Sequence, residues 1–288
     1  MAFQARKKMG GVALSSLLWG LMIGTAGAEE AAKGGLGEPQ PWQMGLQEPA
    51  TPVMEYINWF HTYVMWFIVP ITLFVMVLLL YVIVRFNKKA NPVPSKVTHN
   101  TILEVAWTVL PILVLVCIAL PSFKLLYMEE VIPKADLTIK ATGSQWYWDY
   151  EYPDNGDISF SSTMVRDLPM SDPLRLLKVD NEVVVPVNKT VVVQVTSNDV
   201  IHSFSVNSFG IKIDAIPGRL NQTWFKATRE GMYYGQCSRL CGRDHAFMPI
   251  AFRVVSEEEF QKWVASKKTA MNGAAPDKVA AATSVVVK

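Results

Sequence analysis

The stretch Tyr56–Val84, YINWFHTYVMWFIVPITLFVMVLLLYVIV, runs for 29 residues without an Asp, Glu, Lys or Arg. About 20 apolar residues in an α-helix cross the hydrocarbon core of a bilayer. The run therefore predicts a membrane span over 56–84. Pro70 lies inside it and is a kink point, because proline lacks a backbone N–H and crowds the preceding turn.

After Val84 the character changes. Arg85, Lys88, Lys89 and Lys96 fall in a short stretch that holds no acid. A second uncharged run, Val105–Phe123, contains Pro111 and predicts a second span over 101–126. The basic loop 85–100 belongs in the cytoplasm, because positive loops stay on that side. Both flanking segments then lie on the outer face. The N-terminus points the same way. Lys7 and Lys8, the apolar stretch Val12–Ile23 and the small residues Ala26-Gly27-Ala28 read as a signal peptide over 1–28, cleaved after Ala28. A third membrane helix is the alternative there, and the stretch is short for one. Residues 29–55, rich in Gly, Pro, Glu and Ala, read as a loosely ordered arm outside the membrane.

From Leu137 onward short β-branched and aromatic runs alternate with turn residues. They are 137–142, 145–152, 182–187, 190–196, 201–206, 220–226, 231–234 and 250–255. Strands of this length and spacing predict a β-sandwich or barrel over 130–268. Ser256–Ser266 predicts a closing helix with Ser256 as N-cap and Glu259 completing the cap. Residues 269–288 read as a tail without structure. The fold class is thus a two-helix transmembrane hairpin carrying an all-β domain. The net charge of +2 argues against nucleic acid, and three cysteines cannot make a full disulfide framework.

Soft metal ligands concentrate in one loop between two strand-like runs: Cys237, Cys241, His245 and Met248, with His202 upstream. Thiolate and thioether favour copper, zinc or iron–sulfur, and imidazole suits copper and zinc. Three readings follow from the residue types: a copper centre, a Cys₂His₂ zinc site, or a Cys237–Cys241 disulfide. An upstream His followed by a Cys–His–Met cluster is the ligand order of copper-binding cupredoxin domains. A second cysteine allows two thiolates to bridge two ions. Cys117, in the second span, reads as a buried thiol, and His61 and His99 as interfacial residues.

The pattern Cys-Ser-x-x-Cys-Gly-x-x-His-x-x-Met resembles the binuclear copper A loop of cytochrome c oxidase subunit II. Asp214–Gln222 (DAIPGRLNQ), Gln145–Tyr152 (QWYWDYEY) and Trp107–Pro111 (WTVLP) resemble further signatures of that family, in the same order. The resemblance implies a cupredoxin-like domain. It implies copper held by the side chains of His202, Cys237, Cys241, His245 and Met248 and by the main-chain carbonyl of Arg239. It implies Trp146 as the surface residue at which electrons enter, and Glu104 at the mouth of a proton pathway. It also implies partners: cytochrome c as donor, a haem-bearing subunit I as acceptor, other oxidase subunits and membrane lipid. The setting is a bacterial inner membrane with the copper domain on the periplasmic face. One position departs from the family. Glu is usual where Arg239 stands, and that Glu helps hold a magnesium or manganese ion against subunit I. Arg is a permanent cation and cannot ligate a metal, so the second metal site is expected to be altered or absent.

Charge is uneven. Between Asp136 and Ala215 there are eleven acids and six bases. An acidic outer face steers a lysine-rich donor, with Asp149, Glu151, Asp172 and Asp199 as candidate contacts. Two other functions share these features. One is a copper A subunit of another haem–copper reductase. The other is a membrane-tethered cupredoxin that carries electrons or copper.

Overall fold

The computed structural model describes residues 37–273. The expected signal peptide and the tail beyond residue 273 lie outside those residues.

Helix α1 spans Pro52–Arg85 and α2 spans Thr101–Glu130. Helix α1 starts four residues before the uncharged run, for local reasons. The Thr51 hydroxyl accepts the Met54 N–H at 3.1 Å, and Pro52 at the first position has no N–H to leave unpaired. At the start of α2, Asn100 accepts the N–H groups of Ile102 and Leu103, while the Glu104 carboxylate accepts the Asn100 N–H at 3.2 Å. Both helices are long and apolar enough to cross a membrane.

Pro121 deprives the Cys117 carbonyl of its normal partner four residues on. The Tyr63 hydroxyl of α1 donates to that carbonyl at 3.1 Å. In lipid an unpaired carbonyl is expensive, so this bond both repairs the break and ties the hairpin together. Cys117 itself is exposed on the chain, contrary to the buried thiol expected from its apolar neighbours. An apolar neighbourhood in a span describes lipid as well as it describes a protein core.

The β domain is a sandwich of two five-stranded sheets. The first holds β1 (Leu137–Ser144), β2 (Tyr147–Tyr152), β3 (Ile158–Ser162), β5 (Val191–Ser197) and β8 (Asn221–Phe225), in the order β3-β2-β1-β5-β8. The second holds β4 (Val183–Pro186), β6 (His202–Val206), β7 (Ile211–Ala215), β9 (Gly231–Cys237) and β10 (Pro249–Val255), in the order β4-β10-β9-β6-β7. The pairs β1·β5 and β4·β10 are parallel and the rest antiparallel.

Strands β3 and β7 were not expected from the sequence. Each is an edge strand of five residues with polar residues among its apolar ones, so the pattern of a doubly covered strand is missing. In β2 the alternation holds: Trp148, Tyr150 and Tyr152 are fully buried, while Tyr147, Asp149 and Glu151 are half-buried. Trp146, inside the run 145–152 expected as one strand, instead lies in the β1–β2 turn and is half-buried.

The buried face of β2 meets Phe204, Phe209, Phe225 and Phe252 in one aromatic core. Helix α3 (Glu257–Gly273) closes one end. Ser256 caps it by accepting the Glu259 N–H at 3.2 Å, and Trp263 lies 5.1 Å from the Tyr152 ring. The helix continues past the expected end at Ser266 and takes in 269–273, the first residues of the expected unstructured tail.

The end of the arm before α1, residues 47–51, is held against the β domain. Ala50 is fully buried. It donates its N–H to Ser208 O at 2.8 Å and accepts the Thr228 N–H at 2.9 Å. Arg229 pairs with Glu48 and the Pro49 carbonyl. The composition of 29–55 gave no sign of these contacts, because the partners lie about 160–180 residues away in the chain.

Candidate metal centre

Strands β6 and β9 pair antiparallel, with Phe204 opposite Cys237. This register sets the start of β6, with His202, near the end of β9, with Cys237. The strands approach closely at Gly235, where a Cβ would lie 2.0 Å from the Ser205 carbonyl oxygen. Only glycine allows that pairing. A second glycine, Gly143 in β1, makes room for the His202 ring: its Cβ would lie 3.0 Å from that ring and 3.1 Å from Trp148.

From Cys237 the chain turns back through residues 238–248 into β10. The turn is held by Cys237 N–H to Met248 O at 3.1 Å and by Ser238 N–H to Ser203 O at 3.0 Å. These bonds bring the predicted ligands together. Cys237 Sγ is 3.9 Å from Cys241 Sγ and 3.9 Å from His202 Nδ1. Cys241 Sγ is 3.6 Å from His245 Nδ1, and the Arg239 carbonyl oxygen is 3.4 Å from Cys237 Sγ. One ligand atom each from His202, Cys237 and Cys241 falls within 4.8 Å of the others. Met248 is buried beside them in the chain, at 1% exposure. A disulfide would hold the sulfurs near 2.05 Å; both cysteines are free.

The protonation pattern calls for a cation. Burial would raise the Cys237 thiol, but hydrogen bonding from the His202 ring and nearby backbone outweighs it and pulls the thiol down to about 6. Burial raises Cys241, and the neighbouring Cys237 thiolate raises it further, up to about 12. Two thiolates this close cannot both ionise without compensation. A metal cation held by these residues would supply it, and the surrounding donors are the soft thiolates and imidazoles that copper takes. The residues present therefore fit the group.

His202 is fully buried and its far nitrogen, Nε2, lies 2.8 Å from Asp199 Oδ1. This leaves Nδ1 facing the sulfurs. Burial alone would lower the His202 pKa, yet the bonds to Cys237 and Asp199 leave it raised. Asp199 also accepts the Val200 N–H at 2.6 Å and the Gln145 N–H at 2.7 Å. These bonds and the one to His202 overcome its own desolvation and hold it below the usual carboxylate range.

Gln145 in turn donates to the Cys241 carbonyl at 2.8 Å, and the Trp146 ring lies against Gly242, where a Cβ would approach it to 3.1 Å. The β1–β2 turn with Trp146 is thus fastened to the ligand loop. The other sequence-predicted residues are elsewhere. Asp149 accepts the Ser161 hydroxyl at 2.6 Å, Glu151 pairs with Lys140 at 2.9 Å, and Asp172 caps a turn at Leu174 N–H at 2.8 Å. Glu104 sits at the opposite end of α2, a helix about 45 Å long. The Arg239 guanidinium lies 3.8 Å from Asp214 of the same chain, and the side chain is exposed. Gly143, Gln145 and Asp214 were not singled out as site residues in the sequence. Each works only through contacts with distant parts of the chain.

Comparison with known proteins gives consistent matches. Residues 137–255 match the family described as cytochrome C oxidase subunit II, periplasmic domain, and residues 39–125 match its transmembrane domain. A probable cytochrome c oxidase subunit 2 from Rickettsia bellii is 55% identical over 82% of this chain and 88% of its own length. The cytochrome c oxidase subunit 2 of Cereibacter sphaeroides is 48% identical over 85% of this chain and 87% of its own. The crystal structure of the periplasmic domain of subunit II of cytochrome oxidase from Bradyrhizobium japonicum is 65% identical. It covers 48% of this chain and 98% of that one, with a TM-score of 0.46.

Proposed function

Because this chain belongs to the cytochrome c oxidase subunit II family, it is the membrane-anchored, electron-accepting copper A subunit of a haem–copper oxidoreductase, and we propose which of its residues do that work. His202, Cys237, Cys241, His245 and Met248 hold the copper through side chains, and Arg239 through its carbonyl. The observation that carries this reading is the pair of unbridged sulfurs 3.9 Å apart with an imidazole nitrogen near each, at 3.9 and 3.6 Å.

Copper held by these residues would supply one-electron acceptance and release. The chain's own part is to keep the donors still. The Asp199 carboxylate orients His202 and fixes which nitrogen is free. Gly143 and Gly235 let backbone and ring approach closely. The sandwich core behind them, packed with large aromatic side chains, resists movement. Trp146, packed against Gly242 and next to Gln145, which is bonded to the Cys241 carbonyl, is the surface residue that passes electrons inward from a cytochrome c. The acceptor is haem in subunit I, where oxygen is reduced. Asp149, Glu151, Asp172 and Asp199 belong to the donor-facing surface, although the charge of Glu151 is already matched by Lys140 and Asp199 also serves His202. The β domain lies on the periplasmic side of a bacterial inner membrane, and Glu104 on the other side opens a proton pathway.

The test of the centre is electron paramagnetic resonance of the purified chain loaded with copper. Hyperfine structure from one electron shared equally by two coppers is expected. A single-copper spectrum, or a silent site holding zinc, refutes the ligand assignment.

The second metal site near subunit I is altered or absent. Arg239 carries a fixed positive charge that faces Asp214, so it both replaces a carboxylate and occupies another. Metal analysis of the purified oxidase is expected to find no stoichiometric magnesium at this interface, with Arg239→Glu gaining it. Tightly held magnesium in the unaltered protein overturns this.

A further inference from the structure

Arg243 lies over the ring of Trp146. Its guanidinium carbon lies 5.3 Å from the centroid of the Trp146 ring, and its side chain is 80% exposed. The position is held. Asp244 accepts from Arg243 Nε at 3.1 Å and Nη2 at 3.5 Å, and from Arg166 at 3.2 Å. Arg166 itself lies over the Phe247 ring at 5.7 Å. Two arginines share one carboxylate, so the cluster keeps about one net positive charge beside the indole. The acids nearby are of opposite sign. Asp199 is tied to Gln145, next to Trp146, and Asp149 lies three residues along β2 without a cationic partner among the described residues.

This inference rests on the reading of Trp146 as the residue that receives electrons. We propose that Arg243 is a specificity-determining residue of donor docking. It fixes a positive charge at Trp146 within an otherwise acidic face. The donor that fits therefore presents a neutral, apolar redox edge to the indole. It carries its cations to the side, opposite Asp149 and Asp199. A donor rotated so that a lysine meets Trp146 is repelled, which enforces one orientation at the cost of some affinity.

The effect has a definite sign. If the acidic surroundings alone governed docking, every cation on this face would weaken attraction to a lysine-rich donor by a similar small amount. A charge beside the contact point acts at about 7 Å, where one unit changes binding by about threefold in dilute salt. The change is largely screened near 1 M salt, where the Debye length is about 3 Å.

The experiment uses the whole purified oxidase turning over a lysine-rich cytochrome c, at low and high ionic strength. Arg243→Met should lower KM about threefold and Arg243→Glu about tenfold at low salt. Arg243→Lys should stay near the unaltered value, and the differences should vanish at high salt. A lysine pair across the contact, introduced on the donor's haem edge, should worsen KM against Arg243 but not against Arg243→Glu. A rise in KM for Arg243→Glu overturns the proposal, because it would place a carboxylate of the donor against the guanidinium. An unchanged salt dependence in both Met and Glu variants overturns it as well. Trp146→Leu separates the two claims. Loss of turnover at all salt concentrations is expected; if turnover is unaffected, the role of Trp146 fails, while the sign of the Arg243 effect on KM still reads the charge at the contact.

Discussion

Tyr152→Phe removes one oxygen atom and is expected to lower the melting temperature of the β domain by about 10 °C. Tyr152 is fully buried in β2. Its hydroxyl donates to the Val184 carbonyl and accepts the Val184 N–H, each at 3.0 Å. Val184 belongs to β4, an edge strand of the opposite sheet. A single hydroxyl thus satisfies both backbone groups of one residue and clamps the two layers together. Phenylalanine fills the same space except for the oxygen, and the gap left is too small for a water molecule. Both Val184 groups then stay buried without partners. Each such group costs about 1–3 kcal/mol, and taking the lower half of that range for both gives about 3 kcal/mol. Because the side chain is wholly buried, no discount for solvent applies. For a domain of about 140 residues the unfolding entropy is about 0.3 kcal/mol per kelvin, so the loss corresponds to about 10 °C. The assay is thermal unfolding of the purified chain followed by near-ultraviolet circular dichroism, which reports the aromatic core. A shift below about 2 °C would refute the reasoning, since it would mean that Val184 finds other partners.

Three more perturbations have definite outcomes. Gly235→Ala forces the β6–β9 pairing apart, since the new methyl would sit 2.0 Å from the Ser205 carbonyl oxygen; loss of the copper absorption band together with a stability loss above about 3 kcal/mol is expected. Tyr63→Phe frees the Cys117 carbonyl within the membrane hairpin, at a cost of about 0.5–1.5 kcal/mol, read as earlier thermal inactivation of the purified oxidase while the copper spectrum is unaltered. Copper loading of the metal-free chain at pH 7.5 should release at least one proton, because Cys241, raised to about 12, is a thiol there, and any proton that the raised His202 shares with Cys237 leaves as well. Below pH 6 both thiols must be deprotonated, so affinity should fall more steeply with acidity; calorimetry in buffers of different ionisation enthalpy measures the proton count, and loading without proton release at pH 7.5 would contradict a protonated Cys241.

Much of this protein was readable from composition and order alone. Two long uncharged runs admit few physical solutions other than membrane spans, because lipid offers no partner for a charge or a bare backbone group. The short alternating runs from Leu137 onward announced a sandwich, and Cys237, Cys241, His245 and Met248 lie close enough in sequence to be recognised as a ligand set. The strands β3 and β7 escaped because polar residues interrupt them, Ser159, Ser161 and Ser162 in one and Lys212 and Asp214 in the other, so neither reads as an apolar run, unlike the edge strand β4. The ordering of residues 47–51 escaped because their stabilising partners, Ser208, Thr228 and Arg229, are remote in the chain.

What the residues decided by themselves was the kind of chemistry: soft donors, in order, on a membrane-tethered β domain. What the folded chain alone decided was their relation. It set the sulfur–sulfur distance, turned His202 by means of Asp199, moved Trp146 off the strand face into a turn against Gly242, and laid Arg243 over it. The reason is that ligand type is a property of single side chains, whereas distance, orientation and charge environment arise only when strand register brings together segments up to about 100 residues apart.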